Sequence, residues 1–287
     1  MRIGGLEAGG TKMVCAIGDE MGHVYEVKEF PTMSPEVTMP NIINYFKENK
    51  IEALGIGAFG PVDLNKNSKT YGYILDTPKL EWKHYNFLGE FKRNLDLPMG
   101  LDTDVNVACL GEVVYGQGRG LENVIYITVG TGIGVGIYSN GKLLHGMLHP
   151  EAGHILIQPI QGDEGNCICP YHNNCFEGLA SGPSIQRRWN KPAKDLVEEK
   201  KVWELESKYI GQAVTNYILT LSPEKIILGG GVMKQEQLFS LIREEVLNKI
   251  GGYINTNELI NIDDYIVPAK LEGRQGIMGA LYLGINP

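Results

Sequence analysis

The sequence predicts an α/β protein of two halves, each opening on a β meander that folds around a glycine-rich turn. Three observations carry this prediction. Glycine turns lie beside β-type runs at Gly4-Gly5-Leu6-Glu7-Ala8-Gly9-Gly10-Thr11-Lys12, at Val129-Gly130-Thr131-Gly132-Ile133-Gly134 and at Leu228-Gly229-Gly230-Gly231-Val232. The order strand, glycine turn, strand, turn, strand begins at Ile3 and restarts after Gly116-Gln117-Gly118-Arg119-Gly120. Of the 287 residues, 43% are hydrophobic and 21% charged, which suits one large core or two moderate ones.

The elements follow in order. Ile3–Ala8, Met13–Asp19 and His23–Phe30 are strands punctuated by glycine. Pro35–Asn49 has helical periodicity, with Ile42, Ile43 and Phe46 on one face. Ala53–Phe59 is a buried strand ending at Gly60-Pro61; Phe87–Leu95 is a helix, Met99–Leu101 a strand and Asp104–Tyr115 a helix. Asn123–Thr128 and Ile133–Ser139 are strands around the second turn, with a third at Lys142–His145. Met147–Cys175 lacks periodicity and is rich in Gly, His and Cys; a stretch of this length is expected to be functional or stapled. Helices are expected at Ser184–Trp189, Lys194–Leu221 (as one helix or broken), Gln235–Ile250 and Gln275–Leu283, and strands at Lys225–Leu228 and Ile266–Pro268. Two such halves fit an actin-like two-domain architecture, as well as other α/β folds.

Composition narrows the partners. A net charge of -8 makes nucleic acid a poor partner. No basic-apolar signal segment precedes Ile3. The uncharged stretch Asn123–Gly141 is long enough to raise the membrane question, but its glycines and the Asn140-Gly141 turn mark two strands. Five cysteines, three of them in Cys167-Ile168-Cys169-Pro170-Tyr171-His172-Asn173-Asn174-Cys175, favour metal over disulfide. A cytoplasmic protein without a membrane or nucleic-acid partner is expected.

Four groups of residues carry chemistry. Gly9, Gly10, Thr11, Gly130, Thr131, Gly132, Gly229, Gly230 and Gly231 serve as tight turns or as phosphate cradles, in which backbone N–H groups close on an anion. No Walker-type loop or dinucleotide fingerprint leads the chain. In Asp102-Thr103-Asp104-Val105-Asn106, a carboxylate either caps a helix or acts as general base on a hydroxyl. Cys169, His172, Cys175 and His154 supply a closed Cys2His2 zinc set, with Cys167 and His149 as competitors; such a site would be structural. Glu151, His154 and Glu177 flank that loop and suit a polyhydroxylated ligand. Cys15 and Cys109 lie in apolar patterns as core residues.

Together these motifs resemble the ROK family of bacterial sugar kinases and sugar-sensing repressors. The likeness runs through Glu7–Lys12, Gly57-Ala58-Phe59-Gly60-Pro61-Val62, Thr103–Asn106, Gly130–Gly134, Glu151–His154, the Cys/His cluster with Glu177, and Leu228–Val232. It implies an actin-like (ribonuclease H-like) fold with an interdomain cleft. A small domain would span 1–118, with the helix 275–287 packing back on it, and a large domain 119–274, with a zinc loop at 149–178. It implies ATP as co-substrate with Mg2+, structural Zn2+, a hexose substrate and a homodimer. Asp104 would be the base, and Gly60, Pro61, Thr103, Asp104, Glu151, His154 and Glu177 would contact sugar. Gly9, Gly10, Thr11, Lys12, Gly130, Thr131, Gly132, Gly182, Pro183, Gly229, Gly230 and Gly231 would hold ATP.

Three departures from the usual family pattern are Glu7 for Asp, Thr103 for Asn, and Cys-x-x-His-x-x-Cys in the zinc loop. They resemble the fructokinase branch, which implies conversion of D-fructose to D-fructose 6-phosphate and ligands His154, Cys169, His172 and Cys175 rather than Cys167. Glu7 would then sit near magnesium. Competing readings are a kinase of mannose or glucose, a sugar-sensing regulator, which needs a DNA-binding segment before Gly4, and an inactive scaffold.

Overall fold

The computed structural model describes every residue except Pro78, Glu164 and Asn166; the last two fall within the zinc loop expected at 149–178. The chain divides into two compact units. One comprises 1–120, 143–149 and 271–287; the other comprises 121–142 and 150–270. The segment 143–149, expected in the second domain, belongs to the first. The cause is two side chains: His145 hydrogen-bonds Asp102, and His149 accepts from the Val62 N–H.

In the first unit, β1 (Ile3–Ala8), β2 (Lys12–Gly18) and β3 (Val24–Pro31) form the antiparallel meander. Helix α1 (Pro35–Glu48) begins on Pro35, whose fixed φ suits a first helical position, and buries Ile42, Ile43 and Phe46. Strand β4 (Ala53–Ala58) runs parallel to β1. After helix α2 (Phe87–Asn94), β5 (Met99–Thr103) runs parallel to β4 and leads into α3 (Asp104–Tyr115). The sheet order is β3-β2-β1-β4-β5. Edge-to-face rings of Phe59, Trp82, Tyr85, Phe87 and Phe91 build one core. Trp82 is fully buried, and its indole N–H donates to the Met33 carbonyl at 2.8 Å, so no polar group is stranded.

In the second unit, β6 (Val124–Val129) and β7 (Ile133–Ser139) pair antiparallel, and β8 (Lys142–Leu143) follows. Next come α4 (Phe176–Ala180), α5 (Gly182–Trp189) and the long α6 (Lys200–Leu221). The helix expected from Lys194 starts only at Lys200. The carbonyls of Leu196 and Val197 accept from the Trp203 indole N–H instead of continuing a helix backwards. Strand β9 (Lys225–Gly229) runs parallel to β6; then come α7 (Gln237–Ile250), the single turns α8 (Asn257–Ile260) and α9 (Ile262–Tyr265), and β10 (Ile266–Pro268) parallel to β9. The sheet order is β10-β9-β6-β7-β8. Under the irregular segment, Arg188 Nε donates to Asp163 Oδ1 at 2.9 Å and the Tyr209 hydroxyl donates to Asp163 Oδ2 at 2.5 Å. Glu206 beside them is fully buried, and burial holds its carboxyl well above the usual range.

The final helix, α10 (Gln275–Ile285), packs in the first unit against α3, β1 and β4. Glycine sets this approach. A Cβ on Gly55 would lie 1.7 Å from the Ala280 carbonyl oxygen, and one on Gly279 would lie 1.8 Å from that of Val107. Among the described residues, no helix is long and apolar enough to cross a membrane.

Candidate active site

In the first unit the carboxylates lie toward the C-terminal ends of β1 and β5, parallel strands with β4 between them. Thr103 closes β5 and caps α3, its hydroxyl accepting from the Asn106 N–H at 3.2 Å. The cap considered for Asp104 is therefore Thr103. Asp104 is instead the first helical residue, half-buried, with Oδ1 accepting from the Val105 N–H at 2.8 Å. Burial pushes its carboxyl up to about 6, against that bond. Glu7, on β1, is raised to about 7, first by burial and then by the charge of Asp104; Lys12 opposes the shift. These two carboxylates share one electrostatic neighbourhood, which a cation would relieve.

The turn after β1 closes with the Gly9 N–H donating to the Lys12 carbonyl at 3.0 Å. The Lys12 ammonium pairs with Glu29 on the exposed side of the meander. Gly60 and Pro61 follow β4, where the Pro61 carbonyl accepts from the Leu75 N–H at 2.8 Å.

In the second unit the expected phosphate residues converge. The Gly130 N–H donates to the Gly132 carbonyl at 2.9 Å, and the Gly130 carbonyl accepts from the Gly182 N–H at 2.8 Å, at the start of α5. Gly230 has φ +92, and a Cβ there would sit 2.4 Å from the Val129 carbonyl oxygen. The β6–β7 turn lies against the start of α5 and against the turn after β9, and of these glycines Gly230 is the one whose φ and contacts exclude a side chain. Glu177, on α4, reaches the same turn: its Oε2 accepts from the Ile133 N–H at 2.8 Å.

The Cys/His residues form one cluster. Single ligand atoms of His154, Cys169, His172 and Cys175 all lie within 4.8 Å of one another. Nδ1 of His154 is 3.9 Å from Cys169 Sγ and 3.5 Å from Cys175 Sγ; Nδ1 of His172 is 3.3 Å from Cys169 Sγ. Two thiols and two imidazoles at these separations fit a tetrahedral ion with bonds of about 2.0–2.3 Å. Cys167 Sγ stands 4.0 Å from Cys175 Sγ, at the margin of the set. His149, the weaker competitor, is committed to Val62.

Packing places the cluster. Gly153 lies tight on the Ile133 carbonyl of β7, and the Tyr217 hydroxyl of α6 donates to the Ala152 carbonyl at 2.6 Å, fixing the turn that carries His154. With Nδ1 facing the thiols, His154 Nε2 points toward Glu177 Oε1 at 3.8 Å, beyond direct hydrogen-bond reach. Glu151 is exposed just before that turn. Sequence reasoning gave no role to His145 and treated Asp102 only as part of the motif from which one carboxylate would act as base. The expected strand Lys142–His145 hid the histidine: the strand ends at Leu143, which frees the His145 side chain to turn toward Asp102.

The chain matches the ROK family model over residues 3–286. It is 51% identical over 282 residues to a Bacillus subtilis (strain 168) protein provisionally named a fructokinase, covering 98% of this chain and 94% of that one. It is 43% identical over 283 residues to the Pediococcus pentosaceus fructokinase, covering 99% and 97%. Among solved structures, a ROK family glucokinase from Streptomyces griseus in complex with glucose and AMPPNP superposes with a TM-score of 0.78 at 25% identity, covering 100% of both chains. This α/β chain of two like sheets, whose glycine turns, carboxylates and Cys/His cluster occupy the positions described, belongs to the ROK family of actin-like sugar kinases.

Proposed function

We propose that the protein transfers the γ-phosphoryl group of ATP to the terminal hydroxyl of D-fructose, giving D-fructose 6-phosphate. The observation that supports it most is Asp104, a half-buried carboxylate at the start of α3 raised to about 6. At neutral pH such a group is ionised and still basic enough to accept a hydroxyl proton. Phosphoryl transfer needs little else from a base, because positioning and charge neutralisation dominate the barrier.

In this reading the first unit binds and activates the sugar hydroxyl through Gly60, Pro61, Thr103 and Asp104, while Glu151, His154 and Glu177 hold other hydroxyls. Backbone N–H groups of Gly130–Gly132, Gly182 and Gly229–Gly231, with Gly9–Lys12 from the first unit, cradle the phosphates. Magnesium, when bound with ATP, neutralises phosphate charge, and Glu7 would hold it. Zinc, held by His154, Cys169, His172 and Cys175, would fix the irregular loop and the ring orientation of His154 without taking part in transfer. The protein acts in the cytoplasm as a homodimer, which sedimentation of the purified protein tests.

The deciding experiment is a coupled ADP-release assay with ATP and magnesium on fructose, mannose, glucose and N-acetylmannosamine. The expected result is the highest kcat/KM on fructose. A preference for another hexose keeps the kinase and discards the substrate; no turnover on any sugar, with ATP still bound, discards the kinase.

A further inference from the structure

Residues 143–149 follow a strand of the second sheet yet dock on the first unit through two histidines. His149 Nε2 accepts from the Val62 N–H at 3.4 Å, one residue past Gly60-Pro61. His145 Nε2 lies 2.8 Å from Asp102 Oδ2 at the end of β5. The buried Asp102 carboxylate facing this ring, helped by the Leu143 backbone, favours its doubly protonated form.

Asp102 is only 3% exposed. Its Oδ1 accepts from the Thr103 N–H at 2.8 Å and from Asn106 Nδ2 at 2.7 Å. Asp104 stands between those two donors in sequence. The imidazole, the carboxylate and the first turn of α3 are thus one hydrogen-bonded chain that ends on the segment carrying Asp104. A surface histidine on a surface carboxylate would contribute little. Here the carboxylate is buried, and removing a donor leaves it under-satisfied.

We infer that His145 is a positioning residue: it clasps the 143–149 strap to Asp102 and thereby holds the β5–α3 junction that presents Asp104 to the sugar hydroxyl. The inference rests on Asp104 being the base. The clasp is charged only while the ring keeps both protons. Its hydrogen bond to Asp102, opposed by burial, raises the imidazole above its ordinary value. Tyr71 also feels the Asp102 charge; it is raised by burial and then by Asp102, so it stays neutral across the working range. Asp104, two residues away, titrates at about 6. Activity therefore rises with pH as Asp104 ionises and falls at higher pH as His145 loses its second proton.

The test is steady-state kinetics and thermal melting of His145→Ala, His145→Gln, Asp102→Asn and the Asp102→Asn/His145→Ala pair. His145→Ala is expected to lower kcat by about 10–100-fold, the upper figure being the scale for misplacing a reacting group by about 1 Å, with KM for ATP unchanged. The double variant should lose no more than the worse single one. His145→Gln keeps one donor toward Asp102, so it should recover part of kcat and lose the alkaline limb while keeping the acid one.

Wild-type kcat in His145→Ala overturns the inference. So does an unchanged kcat with raised KM for fructose, which would make His145 a plain sugar contact. If the alanine variant does not fold, the glutamine variant decides: an intact alkaline limb sinks the clasp. Asp104→Asn separates the two readings. Turnover surviving that change removes the base, whatever His145 does; turnover lost there, with His145→Gln indistinguishable from wild type, removes only the clasp.

Discussion

The two sheets share one frame and differ in what stands at its edge. In each, a central strand pairs antiparallel on one side and parallel on the other: β1 with β2 and β4, β6 with β7 and β9. In each, a glycine turn follows the central strand. Past the outer parallel strand they part. β5 leads into Thr103 and Asp104, whereas β10 ends at Pro268. The first unit thus contributes Glu7, Asp102 and Asp104; the second contributes glycine backbone at Gly130–Gly132, Gly182 and Gly229–Gly231, and the Cys/His loop. The same strand order carries a carboxylate group in one unit and glycine backbone with the Cys/His loop in the other, and the phosphoryl transfer proposed above would draw on both chemistries.

The sharpest way to break this division is at Asp104. Asp104→Asn should lower kcat by about 10²–10⁴-fold, the range for loss of a general base. ATP affinity, measured by titration calorimetry, should stay put. In the wild type, kcat should rise with pH through about 6, because the carboxyl must be ionised to accept a proton. That acid limb should vanish in the variant. A variant that keeps most of its turnover would mean the charge at the β5 edge is not the base.

Next in size is the metal loop. Stripping the ion with a chelator, or making Cys169→Ala, should lower Tm together with activity. The expected loss is about 3 kcal/mol, the chain-entropy value for a cross-link across a loop of similar length. Restoring zinc after chelation should reverse it, and a melting curve indifferent to chelator would remove the structural metal. Gly279→Ala should cost about 1–3 kcal/mol by overpacking α10 onto α3 in the first unit. Tm should fall by the corresponding few degrees in a thermal melt, and an unchanged Tm would show that the α10–α3 contact is not tight.

The smallest effect is expected at Glu206. Its carboxyl is raised far above the value it has unfolded, so above that unfolded value ionisation favours the unfolded chain, and stability falls as pH rises. Glu206→Gln should therefore leave Tm at pH 7 equal or slightly higher. A clear drop would show that the acid is ionised in place.

Much of the frame was legible because strand and helix periods are local. Ile42, Ile43 and Phe46 marked the buried face of α1, and glycines marked both meanders. The Cys/His set was legible because zinc demands few ligand types at short spacing. What could not be read was set by partners distant in sequence. The start of α6 depends on Trp203 capturing two carbonyls. The cap of α3 went to Thr103 because β5 runs two residues further than its apolar pattern, Met99–Leu101, suggests. The 143–149 strap joins the first unit through His145 and Asp102, more than forty residues apart, and no periodicity announces such a pair.

The glycine contacts of α10 also bear on how the chain is made. Gly55 and Gly111 sit early in the sequence, with surfaces shaped to receive a helix that follows residue 270. On the ribosome, the first unit emerges before the second but cannot complete its core until the second has been synthesised. Its sheet, covered on that side only where α3 packs on β4 and β5, waits for α10 while residues 150–270 are synthesised as a nearly continuous block. The half that starts first therefore finishes last, and the hydrophobic face awaiting α10 is the surface a chaperone would be expected to shield during translation.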